Sequence, residues 1–226
     1  MIRMNVLSLL ALAGMSAMLG GCATESSTVI PVQKVASAER PYAGTRIPVA
    51  IGRFVNRSTY MQGVFSDGID HLGDQAQTIL AATLQQTNRF NVLKRGNMSE
   101  LSREASFKDQ AQHIKGGDYV VTGYVTEFGR KEVGDQQLFG ILGRGKSQVA
   151  YAKVALDVVD VSTSEVVLSS QGAGEYALSS REVVGFGGHA SYDPTLNGKV
   201  LDLALREAVN NLVNGIDTSN LMAATP

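Results

Sequence analysis

The chain has 226 residues, 20 Lys and Arg against 21 Asp and Glu, and a formal net charge of −1. That balance excludes a chain built to coat nucleic acid, which carries a basic excess, and the 44% hydrophobic content excludes a disordered chain. A single Cys excludes an intramolecular disulfide framework and a Cys-based zinc site, and three widely spaced His argue against a His-rich metal site.

Along the chain, Arg3 is followed by an apolar run, Val6 to Leu19. It falls short of the ~20 residues that span a bilayer as a helix and fits a secretory signal core. Leu19-Gly20-Gly21-Cys22 resembles the bacterial lipobox. The resemblance implies a lipoprotein signal peptide over 1–21 and acylation of Cys22. With Ala23 rather than Asp next to it, the resemblance also implies the outer membrane as destination. Several acyl chains anchor a protein far better than one. Residues 22–46 are polar, with Pro31 and Pro41 and no helix or strand period. They read as a lipidated N-terminus and tether, or as an arm laid on the domain.

A folded domain is expected over 47–217, with a tail over 218–226. Ile47 to Phe54 is short, apolar and bounded by Asn56-Arg57-Ser58, as a buried strand is. From about Gly68 to Thr87, Leu72, Ala76, Ile79, Leu80 and Leu84 recur at helical spacing. A short strand is predicted at Phe90 to Leu93, an amphipathic helix from Met98 to Gln112, and a strand from Tyr119 to Thr126. This half is α/β. Gln148 to Val161 is β-branched, with Ala150, Ala152, Val154, Leu156 and Val158 on one face. Ser162-Thr163-Ser164 predicts a turn, and Glu165 to Ser170 the returning strand, with Gly172 to Ser179 as its extension. Asp193 and Pro194 predict the start of a last helix, and Gly215 its stop.

Gly140 to Ser147 matches the P-loop pattern, but Gln148 onward has strand composition, whereas phosphate cradling needs a helix N-terminus there. Asp157 and Asp160 fall in that same strand. Ser66, Asp67, Asp70 and His71 cluster in sequence, yet no Gly-x-Ser-x-Gly elbow is present. His71 reads as an exposed helical residue and His189 as a loop residue. No residue pattern supports an enzyme, a cofactor or a metal.

Three features resemble the curli assembly lipoprotein family, the CsgG-like (CsgG/HfaB) outer-membrane secretion proteins. They are the lipobox at Cys22 with its polar lead, the order of elements, and Leu138-Phe139-Gly140-Ile141 followed by the strand ending in Val161-Ser162-Thr163-Ser164-Glu165. The resemblance implies a lipid-anchored α/β domain in the periplasm, assembled into a homo-oligomeric, nonameric ring. It implies β-hairpin extensions at about 127–156 and 172–192 that form one shared transmembrane β-barrel. Phe139, Ile141, Tyr176, Leu178 and Phe186 would face the membrane, and Tyr60, Gln62 and Phe65 would line a channel constriction. The activity so implied is secretion of curli-like or other unfolded, adhesive subunits, driven by diffusion without ATP hydrolysis. Partners would be further copies of the chain, outer-membrane lipid, the secreted subunits and accessory assembly proteins. The residues themselves leave an alternative open. Arg130, Lys131, Glu132 and Asp135 make the first hairpin arm poor for lipid, so both hairpins also read as soluble elements of a non-pore scaffold or regulator.

Overall fold

A computed structural model describes residues 33–60, 69–136, 144–182 and 196–219, with side chains at 132–136, 144–148, 178–182 and 219 left aside. The chain divides into two compact units, Met1–Gln33 and Lys34–Pro226; the second holds every described element. Cys22, Gln62, Phe65, Phe139, Ile141, Phe186, His189 and Asp193-Pro194 lie outside the described residues.

The fold is mixed α/β: one five-stranded sheet and three helices among the described residues. Strand β1 (Ile47–Asn56) is central to its half of the sheet and runs parallel to β2 (Phe90–Leu93) and β3 (Tyr119–Gln136). Strands β4 (Arg144–Asp160) and β5 (Val166–Glu182) continue antiparallel, giving the order β2-β1-β3-β4-β5.

Helix α1 (His71–Gln86) starts where Asp70 accepts from Gly73 N at 2.8 Å, satisfying one of the N–H groups a helix start leaves open. The same carboxylate accepts from Asn56 N at 2.6 Å, tying the helix start to the end of β1. Leu72, Ala76, Leu80 and Leu84 recur every four residues and are buried against the sheet. At the other end Thr87 Oγ1 donates to Leu84 O, and Asn88 takes a left-handed φ of 58°.

Helix α2 (Met98–Phe107) ends at Phe107 rather than Gln112. Asp109 turns the chain at φ 49°, a conformation that ends helices. No α2 residue is buried. Helix α3 (Leu196–Ser219) is longer than expected, because Gly215 does not stop it. Arg89 holds Asp217, two residues further on, so the last turn keeps its shape.

The strands of the second half differ most from expectation. β3, β4 and β5 are 18, 17 and 17 residues long, against a usual five or so. They form one continuous antiparallel meander, interrupted only by register shifts near Val125/Glu127 and Val158/Val159. The hairpin expected at about 127–156 and the first arm of the one expected at 172–192 are thus neighbours in one sheet, and residues 183–192 lie outside the described residues. The first arm of the second, Gly172 onward, is hydrogen-bonded to the second arm of the first, from Val154↔Gly172 to Arg144↔Glu182.

Helices α1 and α3 cover the sheet face carrying Val49, Phe54, Val121, Val125, Val154, Leu156 and Val158. Helix α3 crosses β5 closely, and sequence explains why. Gly172 and Gly174 have no side chain to hold it off: a Cβ at Gly172 would lie 2.2 Å from Ala204 O and from Ala208 N. Ser170 Oγ in the same row donates to Ala208 O at 2.9 Å.

Candidate functional site

The first surface of interest is the end of β1, where a channel constriction was expected. Tyr60 does not stand free there. Its ring packs on Phe128 with centroids 4.7 Å apart, and it joins the edge of the hydrophobic core. Asn56 Nδ2 donates to Tyr60 O at 3.0 Å, and Ser58 Oγ accepts from Tyr60 N at 3.3 Å. Tyr60 is thus a packing residue of this subunit.

The second surface is the three-stranded blade beyond the N-terminus of α3. Arg130 marks its base, with Nε and Nη2 donating to Asn197 Oδ1 at 2.8 and 2.6 Å. Tyr176, expected to face lipid, lies instead on the α3 side, packed on the core with Lys199 Nζ 5.2 Å from its ring centroid. Leu178 lies further along β5, opposite Gln148. Beyond Arg130 the register sets six cross-strand rows: Lys131–Val149–Ala177, Glu132–Gln148–Leu178, Val133–Ser147–Ser179, Gly134–Lys146–Ser180, Asp135–Gly145–Arg181 and Gln136–Arg144–Glu182. Alternate rows share a face, and neither set is apolar. Gly145, Lys146 and Ser147 sit inside β4, paired to Asp135, Gly134 and Val133. The P-loop lookalike therefore has a strand where phosphate binding needs a helix N-terminus.

The third surface is a latch that sequence inspection missed. Arg89 is 4% exposed. Its Nε and Nη2 donate to the two oxygens of Asp217 at 3.0 and 2.8 Å, the bidentate geometry guanidinium favours. Its Nη1 reaches Ser37 O and Thr87 O at 3.5 and 3.4 Å, and Tyr42 stacks 4.9 Å away. Arg40 donates to Asn214 Oδ1 at 2.8 Å, and Asn210 Oδ1 accepts from Ser37 N at 3.2 Å. So the segment around Ala36–Glu39, a 3-10 turn with Val35 buried, is an ordered arm on α3. The available signal was an Arg directly before a buried strand, which reads equally well as a loop cation.

The fourth surface is a groove of about 410 Å3 between α1, the middle of β1 at Ile51 and the carboxyl end of β2; ligands of open α/β sheets commonly sit at strand carboxyl ends. Ile51, Ala81, Val92 and Leu93 contribute apolar surface, Gln77 and Thr78 line one side, and Lys94, Arg95 and Gly96 complete it. Gln77 Nε2 is held by Gly52 O at 2.9 Å, and Arg95 Nη2 donates to Lys115 O at 2.6 Å. Lys94 and Arg95 directly follow β2, and only the fold joins them to Ile51 and Ala81.

Asp160 is held below the usual carboxylate range by the Ser162 hydroxyl and then by the N–H groups of Thr163 and Ser162, with bonds of 2.5, 2.9 and 2.8 Å. It shapes the β4–β5 turn, where Ser164 takes φ 61°. Asp157 accepts from Ser169 Oγ at 2.6 Å, and His71 is an exposed first residue of α1. Among the described residues, no group of three or more His, Cys, Asp and Glu could hold a metal, and no helix is long and apolar enough to cross a membrane.

Comparison with known proteins adds a family. A protein of Neisseria meningitidis serogroup B, named as a lipoprotein, is 63% identical over 206 residues, which is 91% of this chain and 92% of its own length. Among solved structures, a PelC dodecamer from Paraburkholderia phytofirmans aligns over 76% of this chain and 92% of its own, at 19% identity and TM-score 0.39. Lipoprotein GNA1162 from Neisseria meningitidis aligns over 76% and 99%, at 16% identity and TM-score 0.35. A neuraminyllactose-binding hemagglutinin homologue from Helicobacter pylori aligns over 82% and 96%, at 11% identity and TM-score 0.42. Likenesses this distant carry no information about assembly or activity. The sequence model of the family described as curli production assembly/transport component CsgG matches residues 32–224, and the chain belongs to that family.

Proposed function

We propose that this chain is a lipid-anchored outer-membrane lipoprotein, with Cys22 as its acylated residue. Its α/β domain works in the periplasm as one subunit of a homo-oligomeric ring. That ring is a scaffold for export or surface assembly of other proteins, and its blade docks partners rather than lining a membrane channel. Family membership and the lipoprotein relative support the anchoring and the assembly role.

The observation that carries the non-pore reading is the composition of the distal blade. Its two face sets hold Val133, Val149 and Leu178 as their only long apolar residues among the described rows, beside Lys131, Glu132, Asp135, Arg144, Lys146, Arg181 and Glu182. A lipid-facing strand needs an apolar residue at every second position, and a Lys or Arg at the bilayer midplane costs about 2–4 kcal/mol. Arg144 and Glu182, of opposite charge, occupy facing register positions, a cross-strand combination that suits a solvated sheet.

A secretion channel is the second reading, favoured by strands three times the usual length and by the family. There the polar rows would face a water-filled lumen, with Gln62 and Phe65 at a constriction and unfolded adhesive subunits passing by diffusion. Neither reading uses a catalytic residue, a cofactor or a nucleotide. Electron microscopy of the lipidated protein, extracted in mild detergent, separates them. Rings without a detergent-belted barrel are expected. Rings with a belted barrel and central channel would overturn the scaffold reading in favour of the pore.

A further inference from the structure

Helix α2 presents an outward stripe that stands exposed among the described residues. Glu100, Leu101, Glu104 and Phe107 fall at helical spacing of zero, one, four and seven, within about a third of the circumference. All four are exposed, Leu101 at 48% and Phe107 at 74%. Arg103, three residues after Glu100, stands at the edge of the stripe, and Lys108, four residues after Glu104, falls between Glu104 and Leu101 within it. Two carboxylates one turn apart repel each other, and two large apolar side chains stand in water beside them. Its two carboxylates outnumber the one cation within the arc, and its apolar side chains stay exposed among the described residues.

The groove between α1 and β2 has the complementary character. Ile51, Ala81, Val92 and Leu93 are apolar, and Lys94 and Arg95 stand at its end beside the Lys115 backbone. Among the described residues neither cation pairs with a carboxylate. The stripe and the groove do not meet within one subunit. Helix α2 begins two residues after Gly96, and no α2 residue lines the groove.

We propose that the groove receives the Glu100–Leu101–Glu104–Phe107 stripe of a second copy of this chain. The carboxylates would face Lys94 and Arg95, and the apolar side chains would face Ile51, Val92 and Leu93. Because the two surfaces differ, the contact is head-to-tail, and head-to-tail contacts close into rings when the rotation per subunit allows. This rests on the ring reading above and names the surfaces through which the ring closes.

The test uses the full lipidated chain in mild detergent, with light scattering after gel filtration over a dilution series. Lys94→Glu with Arg95→Glu is expected to raise the concentration for half-assembly by about tenfold or more, because two attractions become repulsions. Glu100→Lys with Glu104→Lys has the same expected effect. All four substitutions together restore assembly, since the pattern is inverted on both sides. The sites are exposed, so melting temperatures near that of the unaltered chain confirm that the variants fold.

Unaltered assembly in both double variants, or failure of the fourfold variant to recover, would overturn the inference and leave the ring standing. An unaltered chain that stays monomeric at every concentration would overturn the ring reading as well. An acetylated, amidated peptide of residues 98–108 tests whether the groove takes the stripe outside the ring. If its binding depends on Lys94 and Arg95 while the ring is unaffected by their loss, the groove serves another partner and the inference fails.

Discussion

Replacing Gly172 by Ala tests the packing of α3 on β5 at its tightest point. The new methyl carbon would lie 2.2 Å from Ala204 O, 2.2 Å from Ala208 N and 2.9 Å from Ala208 Cα, all backbone atoms of a helix that cannot swing aside. Carbon–oxygen contacts rarely fall below about 3.3 Å, so α3 must lift by about 1 Å. A gap of that size forfeits a quarter to a half of the dispersion well across the interface. Leu201, Leu205 and Leu212 are fully buried there, and each such side chain is worth about 1.5–3 kcal/mol. The expected loss is therefore about 2–3 kcal/mol, the upper part of the overpacking range. For a domain of this size that lowers the melting temperature by roughly 5–10 °C. Chemical denaturation monitored by circular dichroism measures it, with Gly116→Ala as control, since nothing lies within 4 Å of that position. A loss under about 1 kcal/mol for Gly172→Ala would refute the close crossing.

Other outcomes rest on the same structure. Arg89→Met leaves Asp217 without its bidentate partner and frees the arm over Ser37; with that carboxylate one-third exposed, denaturation should show a loss of about 2–3 kcal/mol, below the full cost of a stranded buried charge, and proteolysis near residue 40 should quicken. Ser164→Gly removes the strain of a side chain at φ 61°, so thermal melting should rise by the equivalent of about 1 kcal/mol. Gly215→Ala replaces a glycine inside α3 whose added methyl meets the tip of Leu168 at 3.2 Å; helix propensity predicts a gain of up to about 1 kcal/mol, and a loss would show that Leu168 cannot give way. The Asp160 carboxyl is held below its ordinary value of 3.8, so its contribution to the turn is complete above that pH and is lost as pH falls through the lower folded value; carboxyl NMR should place its titration below 3.8, and Ser162→Ala should move it upward.

The sequence showed most of the first half, because its signals are local. Ile47–Phe54 and Phe90–Leu93 are short apolar runs between turn residues, and Leu72, Ala76, Leu80 and Leu84 repeat at a helical period. What it hid depends on partners distant in the chain. Gly215 looks like a stop, but Arg89, far away in sequence, holds Asp217 inside the same helix. Gly172 and Gly174 look like weak strand residues and are in fact the seat of α3. The blade strands were underestimated at Thr126 because Glu127, Lys131 and Asp135 break the apolar pattern, whereas backbone pairing to β4 continues through them. Tyr176 alternates as a lipid-facing residue would, and only the position of α3 shows that its face is the inner one. The groove was illegible for the same reason, since its apolar lining and its cations come from three separate elements.

The central claim, that the blade stays on the periplasmic side, is tested most directly at its tip. Arg144→Cys places a thiol at the first residue of β4, in a chain whose only natural Cys is the lipidation candidate Cys22. Intact cells are treated with a membrane-impermeant maleimide, and a parallel sample is permeabilised at the outer membrane first. The account predicts labelling only in the permeabilised sample. Labelling in intact cells would place β4 across the membrane and contradict it.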